Sequence, residues 1–366
     1  MRKVAVIGVG LHRYGKWDNK TSYGMAKEAI NGALETSGLE WNQIQSGWCG
    51  HIGQGITAGA RLFSRYGKSG LSITNVENAS ASGSYAFRGA YLEVASGEFD
   101  IALALGIDKR LKGINLFKEK KPSQPTPVIQ KFAADARAHM KKYGTTEEQL
   151  AMVSVKNHYN ASMNPYAQYQ EELTLDDVLN APMLDYPLTV LHCCPIGDGA
   201  AACILASEEV VKQLGITNPV WVTTSVSKSE FHPRIDSRDL TMITSQEAYK
   251  RAGIEPSDLG LVELHDAFAI EEISISEQLG LCPIGEGGKL VEEGATEIKG
   301  RIPINTSGGL LAMGHPIGPT GIGQIAEVYW QMRGEAGKRQ IPQPPKHALT
   351  QMVGFGGTCI IHIFSR

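Results

Sequence analysis

Gly308-Gly309-Leu310-Leu311-Ala312-Met313-Gly314-His315-Pro316-Ile317-Gly318-Pro319-Thr320-Gly321 sets one histidine in a run of glycines and prolines, just before the helical spacing of Ile322 to Arg333. Glycine and proline shape tight backbone rather than fill a core, so packing explains a histidine between Gly314 and Pro316 poorly. Imidazole changes charge near neutral pH, and His315 therefore reads as a group placed for chemistry. Asn305-Thr306-Ser307 extends the same polar turn upstream.

A second turn of this kind lies far from it in sequence. Leu71 to Val76 is β-rich, and Asn78-Ala79-Ser80-Ala81 turns the chain through small residues into a helix, Ser82 to Ser96, with Ala86, Ala90, Leu92, Val94 and Ala95 on its apolar face. Ser80 thus stands at a strand-to-helix elbow, where a side chain is exposed and helix N–H groups can support an oxyanion. The competing reading makes Ser80 and Ser82 helix caps.

Between and around these turns the chain alternates strands and helices. Met1 to Gly8 reads as a buried strand, but Gly8-Val9-Gly10 lacks the third glycine of a dinucleotide fingerprint, and Leu11 to Tyr14 is expected as loop. Ser22 to Ser37 is a helix stopped by Gly38, and Phe99 to Gly106 a buried strand. From Asp108 to Pro127 the chain turns basic and proline-rich, with Lys109, Arg110, Lys112, Lys118, Lys120 and Lys121; it is either a solvated face or a cover for an anionic ligand. Helices follow at Ala133 to Tyr143, Glu147 to Tyr159 and Asp176 to Asn180.

His192-Cys193-Cys194-Pro195-Ile196-Gly197-Asp198-Gly199 feeds a small-residue strand through Ser207. Adjacent strand residues face opposite ways, which favours a core role for His192 and Cys193. A β pattern restarts at Pro219, Gln246 to Ala252 has helical spacing, and the strand Leu259 to Leu264 delivers His265-Asp266-Ala267-Phe268. No third ligand accompanies His265 and Asp266 at convincing spacing, so no metal is expected. Lys346 to Phe364 ends the chain as strand, glycine turn, strand, in the style of Pro195 to Ala206. Each half thus runs strand, helices, strand, glycine turn, closing strand, a faint duplication divided at residues 215 and 216.

Composition sets the outer limits. With 42% hydrophobic residues in 366, the chain can bury a large core, and a net charge of −3 supplies no basic field for nucleic acid. No apolar run approaches the ~20 residues of a membrane span. The six cysteines contain no C-x-x-C pair and read as free thiols of a cytoplasmic protein.

Asn75 to Ser84, Cys193-Cys194-Pro195 through Ala202, His265-Asp266-Ala267-Phe268, Asn305 to Gly309 and Gly314-His315-Pro316 together resemble, in order, the motifs of the thiolase superfamily, in particular its sterol-carrier-protein type. The resemblance implies an α/β thiolase fold: two similar halves, 1–215 and 216–366, layered α-β-α-β-α, with an inserted covering region at about 108–187. It implies a homodimer core, coenzyme A as substrate, and a 3-ketoacyl-CoA cleaved by thiolysis or formed by Claisen condensation. Relatives of this style also work with a small zinc-ribbon and OB-fold partner. A bulky or aryl substrate such as benzoylsuccinyl-CoA is a candidate.

Residue by residue, the family's nucleophilic cysteine falls on Ser80. Its proton-accepting histidine falls on His315, and a residue that helps form the oxyanion hole falls on His265. Backbone of the Val353, Gly354 and Gly356 turn forms a second hole. Lys112, Lys118 and Lys120 fall in the covering loop that meets coenzyme A phosphates, with Met313 a further contact. The departures are as informative: a serine replaces the thiol, and Ala267 and Gln351 stand where relatives carry the acid/base that moves the α-proton. Four readings stay open: a thiolase whose cysteine was replaced by engineering, a carbon–carbon lyase with no covalent intermediate, acyl transfer through an oxyester on Ser80, and a non-catalytic acyl-CoA-binding subunit.

Overall fold

The computed structural model describes residues 2–110, 126–230, 237–355 and 357–366. In chain order the first elements are β1 (Val4–Gly15), α1 (Ser22–Ser37), β2 (Ser46–His51), α2 (Ala58–Tyr66), β3 (Ser72–Val76), α3 (Ser82–Ser96) and β4 (Ile101–Asp108). An inserted region follows with α4 (Pro127–Tyr143), α5 (Glu147–Ser162), α6 (Leu175–Leu179) and the small pair β5 (Met183–Asp185) and β6 (Leu188–Thr189). Then come β7 (Asp198–Ser207), α7 (Glu208–Gln213), β8 (Val220–Ser229), α8 (Ser237–Ala252), β9 (Leu261–Glu263), α9 (Ala269–Gln278), α10 (Gly287–Glu292), α11 (Thr320–Arg333), β10 (His347–Gly354) and β11 (Thr358–Ser365).

One nine-stranded sheet runs β3-β2-β4-β7-β1-β8-β11-β10-β9. Among the described residues its two parts pair where Ala5 meets Trp221 and Val6 meets Val220. Outward from that seam the parts match: β1 against β7 and β7 against β4 are antiparallel and β4 against β2 parallel, as are β8 against β11, β11 against β10 and β10 against β9. Even β3, parallel to β2, has a counterpart in the single parallel bridge from Val262 to Ile304. The order and sense of the strands are therefore repeated in the backbone pairing.

The sheet bends around α3 and α11, which touch each other and pack on both parts. β7 is buried along its whole length, with Ala201, Cys203 and Leu205 facing these helices and Ala200, Ala202, Ile204 and Ala206 facing α1. Burial on both faces is why this strand reads as an unbroken run of small and apolar residues. On the far side of the second part, Val226, Ile361 and Ile363 pack with Leu240 and Ala248 of α8. The layers are α1, sheet, α3 with α11, sheet, α8, as the thiolase resemblance implies.

Leu11 to Tyr14, expected as loop, is strand: β1 continues through Leu11 and His12, paired with Ala201 and Ala200. The long partner strand carries the hydrogen bonding past the point where apolar patterning fades. Likewise α4 starts at Pro127, where Thr126 caps it, well before the apolar spacing is evident at Ala133.

Candidate active site

Four chain segments converge where α3 and α11 begin. In the elbow before α3, Ala79 takes a positive φ of 48°, and Ser82 Oγ accepts from Asn78 N–H and donates to Ala79 O, at 2.9 and 2.7 Å. These bonds tie the elbow together, and neither serine caps α3, whose N-cap residue is Ala81. Ser80 Oγ lies 2.9 Å from His315 Nε2. The elbow rests on the β10–β11 turn, because Gly354 has no Cβ, which would sit 2.5 Å from Asn78 O.

Gly314 (φ 106°) turns the chain so that His315 enters this space, and His315 N–H donates to Pro195 O at 3.1 Å. The Cys193-Cys194-Pro195 segment also pairs Cys193 with Phe268, and Cys194 N–H donates to Ala267 O at 2.8 Å. It is a strut between the loops that carry His315 and His265.

The protonation pattern of His315 follows from its neighbours. Thr320 donates its hydroxyl proton to Pro316 O at 2.6 Å, so Thr320 Oγ1 can only accept from His315 Nδ1–H, 2.9 Å away. That leaves Nε2 with its lone pair toward Ser80, whose hydroxyl donates. Burial, and then neighbouring His265, hold His315 well below its ordinary value, so the ring is a neutral base.

His265 lies edge-on to His315, with ring centroids 5.6 Å apart. Its Nδ1 meets Glu271 Oε1 at 3.1 Å, and its backbone N–H donates to Gln351 Oε1 at 3.0 Å. Asp266 turns away: its carboxylate accepts from Leu310 N–H (2.7 Å) and Asn157 Nδ2 (2.8 Å), and burial, followed by nearby Glu272, pushes its pKa up. It holds the loop before His315 rather than facing reactants.

Ser80, His265, His315, Val353 and Gly354 all line one cavity of about 740 Å³. α4 and α9 line it as well, with Val128, Ile129, Phe132, Ile270 and Ile275 beside the polar Lys131, Asp135 and Gln278, and Phe132 stacks on Phe268 at 4.2 Å and 21°. Cys193, Cys194, Ala267 and Glu271 line the cavity too. Gln351 does not, being buried with its amide nitrogen toward Thr241 Oγ1 at 3.3 Å. Met313 also stands outside the cavity, within the central core. Lys112, Lys118, Lys120 and Gly356 lie outside the described residues. Lys109 and Arg110, at the edge of that basic run, are spent on buried Asp198, at 2.7 and 3.0 Å. No group of three or more potential metal ligands occurs among the described residues. Nor is any described helix long and apolar enough to cross a membrane.

Sequence reasoning singled out the serine and both histidines but missed Thr320, Glu271 and the cavity-facing side of Cys193 and Cys194. Glu271 carried a signal, three residues after Phe268 at a helix start, where its Oε2 accepts Phe268 N–H at 3.1 Å. That signal marks a cap and says nothing of a neighbouring imidazole.

Residues 227–366 match the family model for the thiolase C-terminal domain-like fold. The acetyl-CoA acetyltransferase of Methanothermobacter thermautotrophicus is 41% identical, over 100% of both chains. The benzoylsuccinyl-CoA thiolase subunit BbsB of Thauera aromatica is 35% identical, over 97% of this chain and 95% of its own. Among solved structures, the Ltp2-ChsH2(DUF35) aldolase superposes with a TM-score of 0.86 at 25% identity, over 99% of this chain and 97% of that one. With relatives this similar along its full length, the chain belongs to the thiolase family of acyltransferases.

Proposed function

We propose that this chain forms or cleaves the C2–C3 bond of a 3-ketoacyl-CoA, with the transferred acyl group carried on position 80. The observation that carries the reading is the 2.9 Å contact in which Ser80 Oγ–H donates to a neutral His315 Nε2. In cleavage, Ser80 Oγ attacks C3 as its proton passes to His315. The oxyanion forms beside His265, the N-terminus of α3 and the Val353–Gly354 turn. The C2–C3 electron pair leaves as the enolate of an acyl-CoA, and the thiol of coenzyme A then takes the acyl group from Ser80. An alcohol gives up its proton less readily than a thiol, so Ser80 works more slowly than a cysteine would.

Coenzyme A, with Lys112, Lys118 and Lys120 as contacts for its phosphates, belongs to the same reading, as do the halves 1–215 and 216–366, a cytoplasmic setting and a homodimer. The volume of the cavity and the apolar side chains Val128, Ile129, Phe132, Phe268 and Ile270 in its lining favour a bulky or aryl acyl group. A partner subunit is supported by the paired name of the Ltp2-ChsH2(DUF35) aldolase, and the small zinc-ribbon and OB-fold protein that the family resemblance implies is the partner proposed. Co-expression followed by size exclusion tests it, and separate elution counts against it.

Retro-aldol cleavage of a 3-hydroxyacyl-CoA with no covalent intermediate is the second reading. It is favoured by the 0.86 TM-score to an aldolase and by the hydroxyl, rather than a carboxylate, behind His315. Protein mass spectrometry after incubation with acyl-CoAs separates the two. An acyl adduct on Ser80, absent from Ser80→Ala, supports acyl transfer. Lack of any adduct on the wild type and on Ser80→Cys, with aldehyde or ketone released from a 3-hydroxyacyl-CoA, overturns it.

A further inference from the structure

Acyl transfer with carbon–carbon bond formation needs a group that takes a proton from C2 of the incoming acyl-CoA and returns it in the reverse direction. Ala267 lines the cavity but cannot titrate, and Gln351 is turned into the core. The other candidates near Ser80 can be taken in turn. His315 Nε2 is engaged with Ser80, and Asp266 is tied to Leu310 and Asn157. Cys193 and Cys194 face the cavity, but burial pushes the Cys193 thiol up to about 12 and Cys194 in the same direction, so neither supplies a thiolate near neutral pH.

His265 remains, and its surroundings differ from those of His315 in one respect. Behind His315 stands the Thr320 hydroxyl; behind His265 stands the Glu271 carboxylate, at 3.1 Å. Glu271 is itself held by Phe268 N–H and His265 by Gln351, so the pair is fixed from both ends. His265 Nε2 makes no hydrogen bond among the described residues and is not sealed from the cavity that Ser80 and His315 share. A carboxylate on Nδ1–H orients the ring and stabilises the imidazolium that forms when Nε2 accepts a proton.

We infer that His265 is the acid/base that moves the C2 proton of the acyl-CoA, with Glu271 as its positioning residue. The inference rests on the acyl-transfer reading and adds its missing proton carrier. In condensation, the Nε2 lone pair takes the C2 proton, and the C–H electron pair becomes the enolate, shared with the thioester oxygen. C2 then bonds to the acyl carbonyl on Ser80. The tetrahedral oxyanion collapses, and the C2 proton is relayed from His265 Nε2 through the neighbouring His315 Nε2 to Ser80 Oγ as it leaves, so both rings end neutral. In cleavage the Ser80 proton is relayed the other way, from His315 to His265 Nε2, which delivers it to C2 as the C2–C3 bond breaks.

Deuterium exchange at C2 tests this step alone. The full-length protein is incubated in D₂O with acetyl-CoA, butyryl-CoA or 3-phenylpropanoyl-CoA, with no acyl acceptor or donor added, and label in the recovered thioester is read by mass spectrometry. Exchange is scored whether or not Ser80 is acylated, so failure of this inference and failure of acyl transfer are told apart. The wild type should label at least one of the three. His265→Ala should lose on the order of 10²-fold or more in exchange rate. Glu271→Gln should lose roughly 10-fold at saturating thioester with its half-saturation unchanged, and Glu271→Asp should recover most of that loss. Thermal melting of each variant checks folding, and the Glu271 pair keeps the test valid if His265→Ala does not fold. Wild-type exchange absent with all three thioesters, exchange preserved in His265→Ala, or exchange lost in Cys194→Ala instead, would each overturn the assignment.

Discussion

Ser80 Oγ and His315 Nε2 stand 2.9 Å apart although 235 positions separate them in the chain. What brings them together is the crossing of α3 and α11 at their first turns. The pair couples a weak nucleophile to a base that burial keeps neutral, and its behaviour can be tested through either partner.

Ser80→Cys places a more acidic, more nucleophilic atom against the same imidazole. Acyl-adduct formation should rise by on the order of 10²-fold or more, read as the rate of mass gain after mixing with an acyl-CoA. An unchanged rate would mean that position 80 does not carry the acyl group.

His315 must be neutral to accept the Ser80 proton, and its pKa lies well below 6.5. A depressed value keeps the free base present to lower pH, so the acid limb of adduct formation should fall below pH 6.5 rather than at it. Thr320→Val removes the acceptor for Nδ1–H and frees the ring to carry its proton on Nε2. Turnover should drop about 5- to 150-fold, the rate equivalent of one unsatisfied buried donor at 1–3 kcal/mol. A limb at pH 6.5, or full activity in Thr320→Val, would contradict this arrangement.

His362, buried on β11, is pushed down to about 3 by burial and then by Arg88. Between that value and an unfolded-chain value near ~6.5 the unfolded state binds a proton that the folded state refuses. Its contribution to stability therefore falls as pH drops through this window. Asp108 and Glu263, pushed up by burial to about 7 and about 8, act in the opposite sense, so total stability is a poor readout. The difference between His362→Phe and the wild type isolates the histidine. Between about pH 6.5 and pH 4.5 it should move by about 2 kcal/mol in favour of the variant in urea unfolding. A pH-independent difference would show that His362 is charged in the folded state.

Gly321 sits where the two helix starts meet, and a Cβ there would fall 2.1 Å from Ser84 Oγ and 2.9 Å from Ser84 N. Gly321→Ala should destabilise the fold by about 1–3 kcal/mol and lower acylation, because relief requires the helices to part and His315 to move from Ser80. Denaturation midpoints and adduct rates measured together check this. A stable variant with normal acylation would show that the crossing tolerates separation.

Much of the architecture was legible in the chain. The helix Ser22–Ser37 with Gly38 as its stop, the elbow at Ser80, the histidine between Gly314 and Pro316, and the similar ends of the two halves are all local patterns, and helical period, glycine and proline report them directly. Where strands ended was not local: β1 runs on to Gly15 because β7 lies beside it, which no property of Leu11 to Tyr14 announces.

The same division holds in the site. Residue type and spacing alone singled out Ser80, His265 and His315, and marked Ala267 and Gln351 as unable to titrate. Which serine meets His315 and which ties the elbow together, which nitrogen of His315 carries the proton, and that His265 has a carboxylate behind it, were decided by tertiary structure. Each depends on a hydrogen-bond partner whose direction is set by packing: Thr320 behind one ring, Glu271 behind the other. A sequence specifies which groups are present and how the nearby backbone turns. The proton's position depends on distances of about 3 Å, and those exist only once α3, α9 and α11 have closed around the cavity.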